Sequence, residues 1–442
     1  MKNLPIVSAL RVFKNRRRIL KNPLPFHNEN FERLGDIFMV NIGPTNRIVF
    51  TRSREYIKQI LQKNHKKYHK STLQTRDLAK YIGKGLLTSN GEHWRTHRRM
   101  VQPAFHKKKL EGLLGIMSAA IKEELQRIRP NEKQDVYPLM GDLAFQVVAK
   151  SLFSRDDIQV EMAELKEITD TNQQMLIREM RLPFMNWWFK WSGAINHHLK
   201  LSERAREILN NIIEERLASE LEKDDLLDML LKATYEDGTS MSREQLIDEV
   251  LILFTAGHET TANALGFTLH LLAANSVAQQ NAFESLGLID LEQGDVMANL
   301  GSMGYIKQCV EEGMRLYPPA YYIDRVTIEE DQLGEHTIPK DTMLLLAIYE
   351  LHRDPEFWES PGAFMPERFD PVNKKDFQEY YYPFGAGPRM CVGNNFAMYE
   401  MILVVAEILK KYRIETDTKV VELNPLISLR PKEIPLRFIP RI

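Results

Sequence analysis

The chain has 442 residues, 43 % of them apolar and 27 % charged, with a formal net charge of −1. This balance describes an ordinary globular protein long enough to bury a sizeable core, and argues against a disordered, fibrous or dedicated nucleic-acid-binding chain. Two cysteines over this length argue against a disulfide framework and suit a reducing compartment.

Residues 1–28 contain no Asp or Glu and include RVFKNRRRILK. That composition is compatible with an organelle transit segment. No apolar stretch there is long enough for a secretory signal or a transmembrane anchor, so a cytoplasmic protein without a membrane anchor is expected. DIFMVNIG and RIVFT, within residues 36–51, cluster apolar residues around Gly43 and Pro44 and predict a hairpin. Beyond residue 90 the texture is mostly helical: MGDLAFQVVAKSLF and SERAREILNNIIEERLASEL repeat apolar residues at three- and four-residue spacing. Short strands return near DRVTIEE, HTIPKDTMLLLAI and the proline-punctuated C-terminus. With no repeat or linker, residues 1–442 are expected to form a single domain, mainly α with small β-sheets.

The longest helix expected runs from about Arg243 to Asn275, with Ser242 and Gln245 placed for a reciprocal capping box. At about 1.5 Å per residue it would cross a whole domain. VLILFTA and ANALGFTLHLLAA make it apolar round much of its circumference, so it belongs in the core. Between those runs sits GHETT, whose glycine, ionisable groups and β-branched threonines are locally unfavourable. This stretch predicts either a break or a distortion beside a reactive centre. In the second case Thr260 bonds back to the carbonyl of Ala256, and Glu259 with Thr260 forms an acid–alcohol pair able to pass protons.

FGAGPRMCVG, residues 384–393, carries Cys391. Arg389 precedes it by two positions, and NNFAMYEMILVVAEILKKY, an amphipathic helix pattern, follows. A cation and a helix N-terminus both lower a thiol pKa, so a thiolate ligand is expected. A buried structural cysteine is the more common situation. No second cysteine lies near enough for a zinc pair, whereas a lone thiolate suits haem iron. Cys309 is expected to be a packed core residue.

FGAGPRMCVG matches without a gap the haem-binding signature of the cytochrome P-450 family of haem-thiolate monooxygenases. AGHETT (256–261) resembles the family's oxygen-activation segment, EEGMRLYPP (311–319) contains its E-x-x-R, and FMPERF (364–369) supplies the partner arginine. NPLPFHNENFERLGDIF resembles the family's opening segment, so the likeness spans the chain.

The resemblance implies haem b, with Cys391 as iron ligand. It places Trp94, Arg98, Ala256, Arg325, Phe384 and Arg389 against the cofactor, Glu259 and Thr260 in catalysis, and Glu312, Arg315 and Arg368 in a buried structural triad. Read alone, Glu312 and Arg315 would be an ordinary exposed pair, and His93 with His97 a weak candidate for a metal pair. The implied chemistry inserts one oxygen atom of dioxygen into a C–H bond. A haem-binding sensor or electron carrier is the alternative, disfavoured by the intact Glu259–Thr260 pair.

Only 51 residues follow Cys391, too few for a fused reductase, so electrons are expected from a ferredoxin and its reductase with NAD(P)H. Arg95, Arg98, Arg99 and HKKK (106–109) form a basic cluster suited to an acidic ferredoxin. A monomer is expected. Residues 70–82, 170–185, 250–257 and 319–325 are expected to meet substrate; Leu253, Phe254 and Ala256 are apolar, while Gln74, Arg76, Asp77, Thr255, Tyr321 and Tyr322 offer polar handles. The chain also resembles P-450s that O-demethylate methylated sugars, which points to 6-O-methyl-D-galactose with release of formaldehyde; a fatty acid or terpenoid is the alternative substrate.

Overall fold

The structure is a computed structural model and describes residues 4–41, 47–155, 157–219, 222–287, 289–291 and 295–441. In chain order, the elements that position the site begin with β1 (Ile6–Val7), α1 (Ala9–Lys21), β2 (Ile37–Asn41), β3 (Arg47–Thr51) and β4 (Tyr68–His69). Helices α2 (Gly91–Val101), α3 (Lys107–Glu111), α4 (Val136–Phe153), α5 (Gln159–Arg181), α6 (Asn186–Trp191), α7 (Ala194–Ala218), α8 (Arg243–Ala274) and α9 (Gly304–Leu316) follow. Strands β5 (Tyr322–Thr327) and β6 (Met343–Ala347), helix α10 (Asn394–Lys411), and strands β7 (Leu423–Pro425) and β8 (Leu429–Pro431) complete the set. The architecture is mainly α with small sheets, as the patterning predicts.

The largest sheet among the described residues has the order β1-β2-β3-β6-β5-β4. β2 and β3 are the expected antiparallel pair, with Ile37 opposite Thr51 and Asn41 opposite Arg47; Gly43 and Pro44 lie outside the described residues. β3 and β6 run parallel and join the N-terminal hairpin to residues 343–347.

α8 passes through the core as one uninterrupted helix, so GHETT does not break it. Its polar side chains are satisfied locally. The hydroxyls of Thr255, Thr260 and Thr261 donate to the carbonyls of Leu251, Ala256 and Gly257 at 2.8, 2.9 and 2.9 Å. Gly257 lets α8 and α4 approach closely: a Cβ there would stand 3.0 Å from Val148 Cγ2, which would have to give by a few tenths of an ångström. The Phe254 ring lies edge-on to Phe145 of α4 at 4.6 Å. At the start of α8, Ser242 caps the Gln245 N–H, but the reciprocal half of the capping box does not form. The Gln245 side chain is turned away from the helix end: its amide N–H donates to the Lys84 carbonyl of another segment at 2.9 Å and, one turn along α8, to Glu249 Oε1 at 3.2 Å.

Candidate functional site

Ala256 and Thr260 are the only exposed residues of α8 between positions 246 and 270. They stand one turn apart, on one face of a helix that is otherwise enclosed. Cys391 is exposed as well, yet burial pushes its thiol up strongly enough to set the direction of its pKa. Surface open to a small molecule but removed from bulk water is the mark of an internal hollow at the sulfur, and the exposed Ala256–Thr260 face of an otherwise enclosed helix is what the opposite wall of such a hollow requires.

The loop bearing the thiol is held by its own backbone. The Cys391 N–H donates to the Phe384 carbonyl at 2.9 Å, and the Met390 N–H to the Gly387 carbonyl at 3.0 Å. Gly387 has φ +68°, and a Cβ there would collide with the Leu61 carbonyl, so that position admits glycine alone. α10 starts directly after Gly393, aiming its N-terminus at the sulfur. The Gly393 N–H and the Arg98 guanidinium both favour the thiolate, but desolvation outweighs them and the net shift is upward. The sequence-based expectation of a lowered thiol pKa is therefore corrected: in this dry loop a bound cation must complete deprotonation, as a coordinating metal does.

Four cations gather around the same hollow, and each reaches a carbonyl or amide oxygen in place of a carboxylate. Arg98 Nη1 donates to the Met390 carbonyl at 2.7 Å and its Nε to Gln102 Oε1 at 2.9 Å. Arg325 Nη1 donates to the Asp324 carbonyl at 2.7 Å, and Arg389 Nη1 to the His65 carbonyl at 3.0 Å. Lys70 Nζ donates to the Leu86 carbonyl at 2.6 Å. Burial, then the charges of Arg325 and Arg389, push the Lys70 ammonium down to about 7. Burial likewise brings Arg325 down to about 10. Arg389 keeps a buried Nε with no partner and lies 5.1 Å over the Trp94 ring. Asp324 and Glu249 offset these charges only in part, and buried like charges are costly unless a further anion joins them. The donor set thus fits a group carrying two carboxylates and a metal that takes one thiolate, which is haem. Lys70 is missing from the sequence-derived set, for nothing local separates it from the lysines at 66 and 67.

Glu312 and Arg315 are fully buried on α9, joined by bonds of 2.6 and 2.8 Å. Arg368 Nε stands 3.5 Å from Glu312 Oε1, and the Met365 N–H donates to that oxygen at 3.0 Å. Arg315 also reaches the carbonyls of His352, Pro361 and Ala363 at 2.8, 2.9 and 3.1 Å, tying the meandering segment before the cysteine loop to α9. The three residues thus stand together, and the pair is not the exposed one that its spacing alone would suggest.

Glu259 and Thr260 point in different directions. Thr260 faces the hollow, whereas Glu259 is buried among Gln173 of α5, Ser428 and Arg430. Burial raises the Glu259 pKa, but Arg430 and then Ser428 and Gln173 outweigh it and the net shift is downward. Arg430, Ser428 and Gln173 carry no motif of their own, and only the chain fold brings them to Glu259.

The remaining expected residues fall differently. Phe254 turns toward α4, away from the hollow. The Tyr321 hydroxyl donates to the Leu426 carbonyl at 2.7 Å, and the Tyr322 hydroxyl lies 2.8 Å from His27 Nδ1. Gln74 bonds Asp324, and Arg76 pairs with its neighbour Asp77 on the surface. His97 Nδ1 meets Glu249 Oε1 at 3.2 Å and His93 Nε2 meets the Lys84 carbonyl at 3.2 Å; no metal-binding cluster occurs among the described residues. Cys309 is buried and unpaired.

A thiol in a hollow, at a helix N-terminus and ringed by buried cations, defines a haem-thiolate protein. The family model described as cytochrome P-450 matches residues 2–438, and the chain belongs to that family. It is a haem-dependent monooxygenase. The chain is 29 % identical over 384 residues to the cyclooctat-9-en-7-ol 5-monooxygenase of Streptomyces melanosporofaciens, spanning 86 % of this chain and 83 % of that protein. It is 29 % identical over 442 residues to the probable cytochrome P-450 4s3 of Drosophila melanogaster, spanning 93 % and 86 %. To cytochrome P-450 4ae1 of the same fly it is 30 % identical, spanning 91 % and 85 %.

Proposed function

We propose that this monooxygenase hydroxylates an aliphatic C–H bond of a predominantly apolar substrate such as a fatty acid or terpenoid, with electrons supplied by a separate ferredoxin. The observation that carries this is the engagement of the tyrosines: both hydroxyls bond protein partners, leaving few polar handles for a sugar. A cyclic alcohol named as the substrate of one bacterial relative lends support. O-demethylation of 6-O-methyl-D-galactose is the second reading; it rests on the whole-chain resemblance and on Thr255, half-buried one residue before Ala256.

Haem, when bound, supplies activation of dioxygen for insertion of one atom. The residues around it have separable tasks. Cys391 donates its sulfur, with Arg98 and the Gly393 N–H balancing the charge. Arg98, Arg325, Arg389 and Lys70, with the Trp94 ring beneath Arg389, would receive the two carboxylates; arginine's planar fork suits a carboxylate. Phe384 anchors the cysteine loop through its carbonyl. Ala256, with its small side chain, would leave room for the group on its face of α8, and Thr260 one turn on would hold a proton at its Oγ1. Glu259 feeds protons from the protein side through water, when its contact with Arg430 loosens.

For electron delivery, Lys107, Lys108 and Lys109 of α3 are exposed. Their segment adjoins the cysteine loop, since a Cβ on Gly393 would lie 3.7 Å from Phe105. A short path from a basic surface to the sulfur suits an acidic electron donor.

Titration of the ferric holoprotein with fatty acids, terpenoids and methylated sugars, read by the spin-state change of its absorption band, tests the substrate class. A response to 6-O-methyl-D-galactose alone, followed by stoichiometric formaldehyde, would replace the first reading by the second.

A further inference from the structure

α5 ends at Arg181, whose guanidinium has no carboxylate partner among the described residues. The side chain is half-buried, and its hydrogen bond, Nη2 to the Pro425 carbonyl, is long at 3.3 Å. Glu179, the nearest acid along the chain, does not answer the charge. Its carboxylate is engaged by Lys80 Nζ at 2.5 and 2.7 Å and by the Tyr81 hydroxyl at 2.8 Å. A half-buried cation that holds only a carbonyl has donors left for an anion.

Pro425 ends β7, and the turn from β7 to β8, residues 426–428, is pinned beside the hollow. At the far side of the turn the Ser428 hydroxyl accepts from Asn263 Nδ2 at 2.9 Å and donates to Glu259. Asn263 follows Thr260 by three positions and shares its face of α8. On the near side the Leu426 carbonyl accepts the Tyr321 hydroxyl at 2.7 Å. Burial pushes that phenol up to about 12 while the Arg181 charge opposes the shift, so guanidinium and phenol are close neighbours. From Pro425 to Ser428 the chain spans at most about 10 Å. Arg181 therefore stands at the outer rim of the hollow, with Leu426 half-buried and Ile427 exposed between it and α8.

We propose that Arg181 is a specificity-determining residue that receives the carboxylate of an amphipathic organic acid, whose apolar part passes the Leu426–Ser428 turn and presents a C–H bond remote from the acid at the Thr260 face of α8. The proposal rests on the reading of the substrate as predominantly apolar, and adds one charged end to it. An arginine's planar fork can satisfy both oxygens of a carboxylate, and Pro425 occupies only one of its N–H groups. The phenol beside it is already engaged by Leu426, so among these neighbours the cation is the group left to hold a polar end. Holding that end fixes which carbon lies within reach of the Thr260 face, since a tethered chain can present only a short stretch of itself there.

Spin-state titrations of the ferric holoprotein with a saturated fatty acid, a terpenoid acid and the methyl ester of each test this, in the native chain and in Arg181→Gln and Arg181→Lys. The native protein should bind an acid at least about tenfold more tightly than its ester. Arg181→Gln should weaken acid binding about ten- to hundredfold, the range for losing a hydrogen bond to a charged group, and leave ester binding unchanged. Arg181→Lys should restore part of the loss, with the reduced carbon monoxide spectrum the same in all three proteins. A response confined to one of the two acids supports the proposal and names the source of the carboxylate. Esters that bind as tightly as their acids overturn the assignment of Arg181 and leave the apolar-substrate reading standing. So does an Arg181→Gln protein with unchanged acid affinity, or one that loses acid and ester affinity alike. No response to any acid or ester, with a clear response to 6-O-methyl-D-galactose, overturns that reading and this proposal with it.

Discussion

Arg430 closes on Glu259 in a two-point ion pair, Nη2 to Oε2 and Nε to Oε1 each at 2.6 Å, across 171 residues of sequence. The pair holds the carboxylate charged, so its contribution to stability is present above the unfolded carboxylate pKa and is lost as pH falls through the lower folded value. Arg430→Gln should therefore cost about 3 kcal/mol at neutral pH, since it leaves a buried charge short of its partner. The loss should shrink under acid conditions, where protonation relieves it. Denaturation of both proteins as a function of pH checks this; a pH-independent difference would show that Arg430 acts by packing alone.

Arg315 lies fully buried and bonded to Glu312 and to three carbonyls of the segment 352–363. Arg315→Ala should cost about 3–5 kcal/mol, the range for removing one member of a buried pair. The haem-to-protein ratio should fall with it, because the segment before the cysteine loop loses its tether. Full haem content in a destabilised Arg315→Ala protein would separate the triad from cofactor retention.

The Thr260 hydroxyl donates within its own helix at 2.9 Å and offers its oxygen to the hollow. Thr260→Ala removes no buried partner, so stability should change by less than about 1 kcal/mol. Haem content should be retained, while reducing equivalents drain to hydrogen peroxide. Comparing NAD(P)H consumed with product formed measures this, and unchanged coupling would take Thr260 out of proton delivery.

Lys70 is pushed down to about 7, first by burial and next by Arg325 and Arg389. Between that value and the ordinary lysine range the unfolded chain binds the extra proton, so the haem-free protein should gain stability as pH rises from about 7 to 10. Carboxylates of bound haem offset the repulsion, and the holoprotein should show a flatter profile. Lys70→Met should flatten the haem-free profile too. Parallel profiles with and without haem would place Lys70 outside the cofactor's reach.

Lys107, Lys108 and Lys109 are exposed beside the cysteine loop. Reversing all three charges should slow reduction by ferredoxin at least tenfold at low salt, with the difference closing as salt screens the surfaces. Peroxide-driven turnover should be spared. Equal loss by both routes would point to a damaged fold.

Local patterns announced the features with local causes. The apolar periodicity of residues 243–274 predicts α8 to within a residue, because helix formation depends on neighbours three and four apart. Thr260 bonding back to Ala256 follows from the same spacing. The loop around Cys391 is legible for a related reason: its glycines record backbone conformations and close approaches that other residues cannot take. Gln245 and the Cys391 thiol depart from the local rule because a neighbour from a distant segment, or the loss of water, outweighs it.

The long helix, the thiol at the head of α10 and the ordered motifs that mark the family are each written in residues adjacent along the chain. That Glu259 turns to Arg430 while Thr260 faces the hollow, that Lys70 joins the arginines, and that the tyrosine hydroxyls are engaged emerges from the packed fold. Those outcomes depend on which segments packing brings together and how far water is excluded between them, and neither quantity has a period along the chain.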